Sequence, residues 1–316
     1  MTPASSRSVE VDLIPSRSVS AGNIKLEAPH GWKVVPEKQA FKLDPGQVSR
    51  WTFTITAPSK PETAKITASV EINGISYHNQ LLPISYAHIP RQVLQPPAVV
   101  KAVSVDLAKR GTTIGYLPGA GDSLVDNLQQ MGYAVKLLDD ANLTSQELEG
   151  LDAVVLGVRA FNVRANIGAA MPKLFAYVEN GGTLISQYNR PDKLKSEKLA
   201  PYDLRISADR VTDENAAITF LAPDSPVLNK PNKIVPADFD GWVQERGLYF
   251  PNQWDEHFTP ILSCGDAGEP QTKGVLLVAQ YGKGHYIYTG LSFFRQLPAG
   301  VPGAYRLFAN MVSIGK

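Results

Sequence analysis

The side chains best suited to chemistry in this chain lie on one long stretch: Asp240, Trp242, Glu245, Arg246, Tyr249 and Trp254. Paired carboxylates at a suitable separation run acid–base hydrolysis of sugars, so Asp240 and Glu245, with His285 nearby, would make a divergent carbohydrate-active hydrolase. The same stretch also reads as a binding surface, because aromatic faces with carboxylate, amide and guanidinium groups are what a carbohydrate site requires. A third reading packs the aromatics onto the body of the fold and leaves a structural spacer or dimerisation module.

Metal and thiol chemistry are harder to place. The five histidines, His30, His78, His88, His257 and His285, are far apart, and no pair has His-x-x-His or His-Glu-x-x-His spacing. No metal ligand and no cofactor is expected in this chain. Cys264 is the single cysteine, which rules out an internal disulfide. It ends an apolar run, Ile261-Leu262-Ser263-Cys264, with no strand-to-helix turn after it, so a buried structural cysteine is expected.

Composition narrows the partners. Lys plus Arg total 31 against 30 Asp plus Glu, a net charge of +1, without the electrostatic footprint of a nucleic-acid binder. No apolar run approaches the ~20 residues of a membrane span, so no membrane partner is expected. With 43% apolar and 19% charged residues the chain is ordinary globular protein, and 316 residues is about two domains' worth.

Two regions with different patterning position these groups. Residues 1–97 read as all-β: Trp51, Phe53 and Ile55 alternate with Thr52, Thr54 and Thr56, and Asn73-Gly74 between two strand-like runs is a hairpin signal. Several short strands in fewer than 100 residues point to a β-sandwich. Gln95-Pro96-Pro97 reads as the linker. Residues 98–316 alternate strand and helix. Strands are expected at Thr112–Leu117, Tyr133–Leu138, Asp152–Gly157 and Thr183–Ser186. Helices are expected at Ser123–Met131, Asn142–Glu149 and Met171–Glu179. Alternation of this kind implies a parallel sheet covered on both faces. An antiparallel hairpin around Tyr281–Gly284 and a closing helix over Ala304–Ser313 complete the region.

In open parallel sheets ligands sit beyond the strand C-terminal ends. That rule selects Pro118–Asp122, Arg159–Arg164 and Gln187–Arg190, overhung by the aromatic stretch. The candidate ligand-binding residues are therefore Arg159, Asn162, Gln187, Tyr188, Asn189, Asp240, Trp242, Glu245, Arg246 and Trp254. Gly119-x-Gly121 lacks the full Gly-x-Gly-x-x-Gly, which makes a phosphate site the weaker reading.

Three resemblances add to this. Leu26–Val34, Phe41–Gln47 and Phe53–Pro58 carry Gly-Trp, Pro-Gly-Gln and Thr-Ala-Pro in order. They are similar to the immunoglobulin-like domain found beside alpha-galactosidases and other carbohydrate-active enzymes. That resemblance implies an accessory β-sandwich with no catalytic residue, and Trp32 is expected in its core.

Residues 110–316 resemble the class I glutamine amidotransferase-like fold, a flavodoxin-like architecture, in its ThuA-like branch. The resemblance rests on Leu151–Gly157, Phe175–Ile185, Gly282-Lys283-Gly284 and the closing helix. Active members place a cysteine nucleophile in a Gly-x-Cys-x-Gly elbow. The corresponding position here is approximately Gln187, without flanking glycines, so the hydrolytic chemistry does not carry over.

The two domains in this order resemble the C-terminal part of large bacterial PIG-L (LmbE-like) deacetylases, most closely over Asp238–Phe250 and Pro302–Arg306. The resemblance implies an exported, periplasmic or extracellular parent that acts on N-acetylated sugars. Its zinc would reside in an N-terminal deacetylase domain outside this chain. The zinc motif Ala-His-Pro-Asp-Asp has no counterpart; Ala87-His88-Ile89-Pro90 lacks both carboxylates. The expected role is a non-catalytic accessory or recognition region, whose partners are a glycan or glycoconjugate and the deacetylase domain.

Overall fold

Alternation of apolar and polar residues builds the first unit. The computed structural model describes residues 1–316 and divides the chain into Met1–Asp106 and Leu107–Lys316. In the first unit, β1 (Ser6–Leu13), β2 (Val19–Glu27), β3 (Lys33–Val35), β4 (Gln39–Leu43), β5 (Ser49–Thr56), β6 (Glu62–Ile72) and β7 (Ile75–Tyr77) form two antiparallel sheets. One has the order β1-β5-β3. In the other, β6 pairs with β2, which pairs with β4. Phe53 and Ile55 of β5 point inward with Ile24, Leu26, Phe41 and Ile66, while the threonines between them stay wetter. Trp32 joins this core at 6% exposure. Asn73 and Gly74 both have positive φ (52° and 76°), the geometry of a tight hairpin between β6 and β7.

Beyond β7 a second hairpin, β8 (Leu82–Ile84) with β9 (Gln92–Leu94), precedes β10 (Val99–Ser104). Strand β10 pairs antiparallel with β6, so the first unit runs past Pro97 to Asp106. The two prolines that read as a linker lie inside this unit, where Pro97 bridges Asn79 across the hairpin.

The second unit opens with β11 (Thr113–Leu117), α1 (Leu124–Gln130), β12 (Ala134–Leu137), α2 (Ser145–Leu148), β13 (Ala153–Leu156), α3 (Ala160–Val163), α4 (Ile167–Glu179) and β14 (Thr183–Gln187). Thr144 and Glu147 make the expected capping box on α2. A long excursion follows: β15 (Leu204–Ile206), β16 (Arg210–Val211), β17 (Thr219–Phe220), α5 (Pro226–Asn229), β18 (Gly247–Leu248), β19 (Pro251–Trp254), β20 (Phe258–Cys264) and β21 (Thr272–Tyr281). The chain then returns through β22 (Gly284–Thr289), α6 (Phe293–Gln296) and α7 (Pro302–Ser313).

The main sheet has the order β12-β11-β13-β14-β22-β21-β20-β17. Its first five strands are parallel and run 2-1-3-4-5 in chain order, a doubly wound arrangement. The last three join antiparallel. Period two divides the strands between two cores. Val155, Ile185 and Ile287 pack with α1 and α7, whereas Val154, Leu184, Tyr286 and Tyr288 pack with α4. The chain is thus mixed β and α/β, with a parallel-sheet unit. No helix is long and apolar enough to cross a membrane.

Candidate functional site

The topological switch point between β11 and β13, where sheets of this order commonly hold ligands, is filled by its own backbone. A Cβ on Gly119 would lie 2.1 Å from the Val158 carbonyl oxygen. Ala120 N donates to that same oxygen at 2.8 Å. Asp122 seals the turn by accepting from Tyr116 Oη, Leu124 N and Val158 N. The candidate loop Pro118–Asp122 is therefore scaffolding.

The adjacent ends of β13, β14 and β22 are built differently. After β13 the chain turns through Gly157 to Arg159, which is left-handed at φ 59°. Such a backbone costs about 1–3 kcal/mol for a residue with a side chain and persists where its surroundings impose it. Here Arg159 N donates to Tyr188 O at 2.8 Å, pinning the turn to the chain that leaves β14. Asn189 adds three ties. Its Oδ1 accepts from Phe161 N, its Nδ2 donates to Gln187 O, and its N donates to Tyr288 Oη.

Beyond β22, Ser292 and Gln296 clamp the long loop onto this edge. Ser292 Oγ donates to Glu245 O at 2.7 Å and Ser292 N donates to Arg246 O at 3.0 Å. Gln296 accepts from Val243 N and donates back to Val243 O. Two more left-handed residues, Gln244 (φ 68°) and Tyr249 (φ 55°), lie on the clamped loop.

The result is an aromatic and cationic patch. Tyr188 stacks on Tyr249 with centroids 5.9 Å apart, and Phe294 lies 5.2 Å from Tyr188. The Arg295 guanidinium sits 4.7 Å over Phe294. Glu245, 3% exposed, accepts from Arg210 Nη2 at 2.7 Å on one oxygen and from Arg295 Nε at 2.9 Å on the other. Burial pushes the Tyr188 phenol above its ordinary value, and Arg159, Arg295, Glu245 and Tyr249 all act on it electrostatically. Arg159 Nε is shielded from water and has no hydrogen-bond partner. Tyr249, Phe294 and Arg159 are half-buried and Tyr188 is 7% exposed, so the outer part of the patch meets solvent.

The sequence candidates separate on this frame. Arg159, Tyr188 and Glu245 converge on the patch, with Asn189 beneath it. Gln187 is 1% exposed; its Nε2 donates to Leu156 O and its Oε1 has no partner. Asn162 spends its amide on Arg190 and Asp192, and so fixes a loop instead of facing a ligand. Asp240 is exposed. Arg246 is buried, donating to Ala216 O and Phe239 O over the Trp242 ring, and desolvation lowers its pKa.

The two tryptophans do not reach the patch. Trp242 is 3% exposed among Phe239 and Phe293 in the core beneath one sheet face. Trp254 is half-buried against the core of the opposite face, where it lines clefts of about 630 and 490 Å³. Trp242, Trp254 and Arg159 therefore do not share one cavity, which corrects the expectation of a common aromatic site.

The carboxylate reading also fails on geometry. Glu245 is locked between two arginines at the C-terminal end of β22. His285 starts that strand, against Gly315, roughly 16 Å away at about 3.3 Å per residue. Cys264 is buried, and desolvation pushes its thiol up to about 12. No group of three or more His, Cys, Asp or Glu side chains comes together as a metal ion would require.

Sequence reasoning missed Arg210, Phe294 and Arg295. Arg210 lies on a two-residue strand, and the other two on a one-turn helix, elements too short to carry a periodic signal.

No family model matches the chain, and no curated protein matches it. Among solved structures it is similar to a protein described as a GMP synthase component from Thermoplasma acidophilum. That match has 11% identity and a TM-score of 0.43 over 66% of this chain and 96% of the other. It is also similar to a ThuA-like protein from Bacteroides uniformis (12% identity, TM-score 0.40, 64% of this chain and 90% of that one). A cold-adapted β-galactosidase from a Rahnella species matches at 15% identity and a TM-score of 0.37, over 64% of this chain and 31% of that one.

Proposed function

We propose that this chain is a non-catalytic recognition region whose α/β unit binds a glycan or glycoconjugate at the edge formed by Arg159, Tyr188, Tyr249 and Phe294. The observation that carries the reading is the stacked Tyr188–Tyr249 pair beside an unpaired Arg159, held by three left-handed residues. Aromatic faces with a few fixed polar groups are the usual composition of a small-ligand site. Strained backbone concentrates where a site must be pre-organised.

Binding is favoured over turnover by what occupies the reactive positions. An amide stands near the elbow, the one thiol is buried, and Glu245 is held by an arginine on each oxygen. The resemblance to PIG-L (LmbE-like) proteins supplies the setting. In it, the β unit is an immunoglobulin-like spacer, the α/β unit is flavodoxin-like, and both serve an exported deacetylase domain outside this chain.

Calorimetric titration with N-acetylated oligosaccharides tests this reading. Micromolar to millimolar binding is expected in the wild type, with at least a tenfold loss in Tyr249→Ala. Hydrolysis of these sugars by the purified chain, or binding indifferent to Tyr249→Ala, refutes it.

A further inference from the structure

We infer that the recognised sugar carries an anionic group, a carboxylate or sulfate, that pairs with Arg159. This rests on the recognition reading and narrows it to acidic glycans. Two guanidiniums, Arg159 and Arg295, act on Tyr188 beside Glu245, whose carboxylate also pairs with Arg210. Arg210 and Arg295 share Glu245, one on each oxygen. Arg159 does not join them: it makes no ion pair with Glu245, and its Nε has no hydrogen-bond partner.

A guanidinium is planar and permanently charged, and its fork matches the two oxygens of a carboxylate or sulfate. The Arg159 Nε–H is shut off from water without an acceptor, and an oxygen of a bound anion would supply one. Its placement is not accidental to the turn. The left-handed backbone at 159 is a conformation that Asn or Gly adopts more readily than Arg, so turn geometry alone does not call for this side chain. The aromatic rings beside it would take the apolar face of the same sugar ring, giving one residue of ligand both an anchor and a platform.

The test compares three oligosaccharides of matched length on the full chain by calorimetry: a neutral N-acetylated one, one containing a uronate and a sulfated one. Wild type is expected to bind an acidic ligand at least tenfold more tightly than the neutral one, and raising the salt should erode that difference. Arg159→Asn keeps the left-handed turn and removes the charge, so it should bring acidic binding down to the neutral level and abolish its salt dependence. Arg159→Lys should retain part of the preference. The uronate and sulfated arms tell which anion is recognised, and preference for either supports the inference.

Equal wild-type affinity for neutral and acidic ligands overturns the inference and leaves the recognition reading standing. So does an Arg159→Asn loss that is the same for all three. Absence of binding to any of the three sinks both. Should Arg159→Asn fail to fold, the acidic-to-neutral ratio and its salt dependence in wild type decide alone.

Discussion

Tyr188 stacks on Tyr249 at 5.9 Å with an interplanar angle of 28°, joining the end of β14 to a loop from far downstream. The pairing is fixed from below by Tyr288. Its fully buried hydroxyl accepts from Asn189 N at 3.2 Å and donates to Tyr249 O at 3.4 Å. The left-handed Tyr249 is thus held by its backbone as well as by its ring.

Tyr288→Phe removes that bridge and leaves a buried amide and carbonyl short of a partner. The expected cost is about 1–3 kcal/mol in urea unfolding of the second unit. An unchanged midpoint would show that the bridge does not hold the patch.

Glu245→Ala strands two guanidiniums at one edge of the sheet. Breaking a buried pair by removing one partner is strongly destabilising, but Arg210 and Arg295 are partly exposed and screened by solvent. About 2–3 kcal/mol is expected, in the range of hydrogen bonds to charged groups. Glu245→Gln should recover part of it. A loss below about 0.5 kcal/mol in both variants contradicts the packing described.

Cys264 should be inert in the folded chain. With its thiol pushed up to about 12 by burial, a thiol reagent at pH 8 should label it only on unfolding. The raised pKa also fixes a sign. The folded thiol stays protonated from its ordinary value of 9.0 up to about 12, whereas the unfolded thiol ionises, so stability falls as pH rises through that window. Rapid native labelling would place Cys264 at an accessible site.

Trp32 tests the β unit. Its ring is core, yet its Nε1 is buried without a partner, so the indole N–H costs stability and its removal offsets part of the packing lost with the larger ring. Trp32→Phe should cost under about 1.5 kcal/mol, and Trp32→Ala about 3–5 kcal/mol. Glycan binding should be unchanged by Trp32→Phe. A large loss of binding there would move the recognition site to the first unit.

Much of the fold is legible because long periodic segments carry their own signal. Phe53 and Ile55 alternate inward, the run from Ala153 to Leu156 is apolar throughout as a doubly covered strand must be, and Thr144 with Glu147 announces α2. Val99–Ser104 does not read as part of the first unit because its pairing with β6 is a long-range contact behind two prolines. The site is half legible. Arg159 and Tyr188 follow from the rule of strand ends and Glu245 from the stretch expected to overhang them, but whether an indole in an aromatic-rich loop is core or surface depends on tertiary packing. Trp242 is core, and Trp254 belongs to the other face of the sheet.

Hydrogen exchange of the full chain with and without a saturating acidic oligosaccharide tests the central claim most directly. Recognition at the proposed edge predicts slowed amide exchange confined to segments 157–162, 187–190, 244–250 and 292–296. Protection confined instead to the clefts lined by Trp254, or to the first unit, would contradict it.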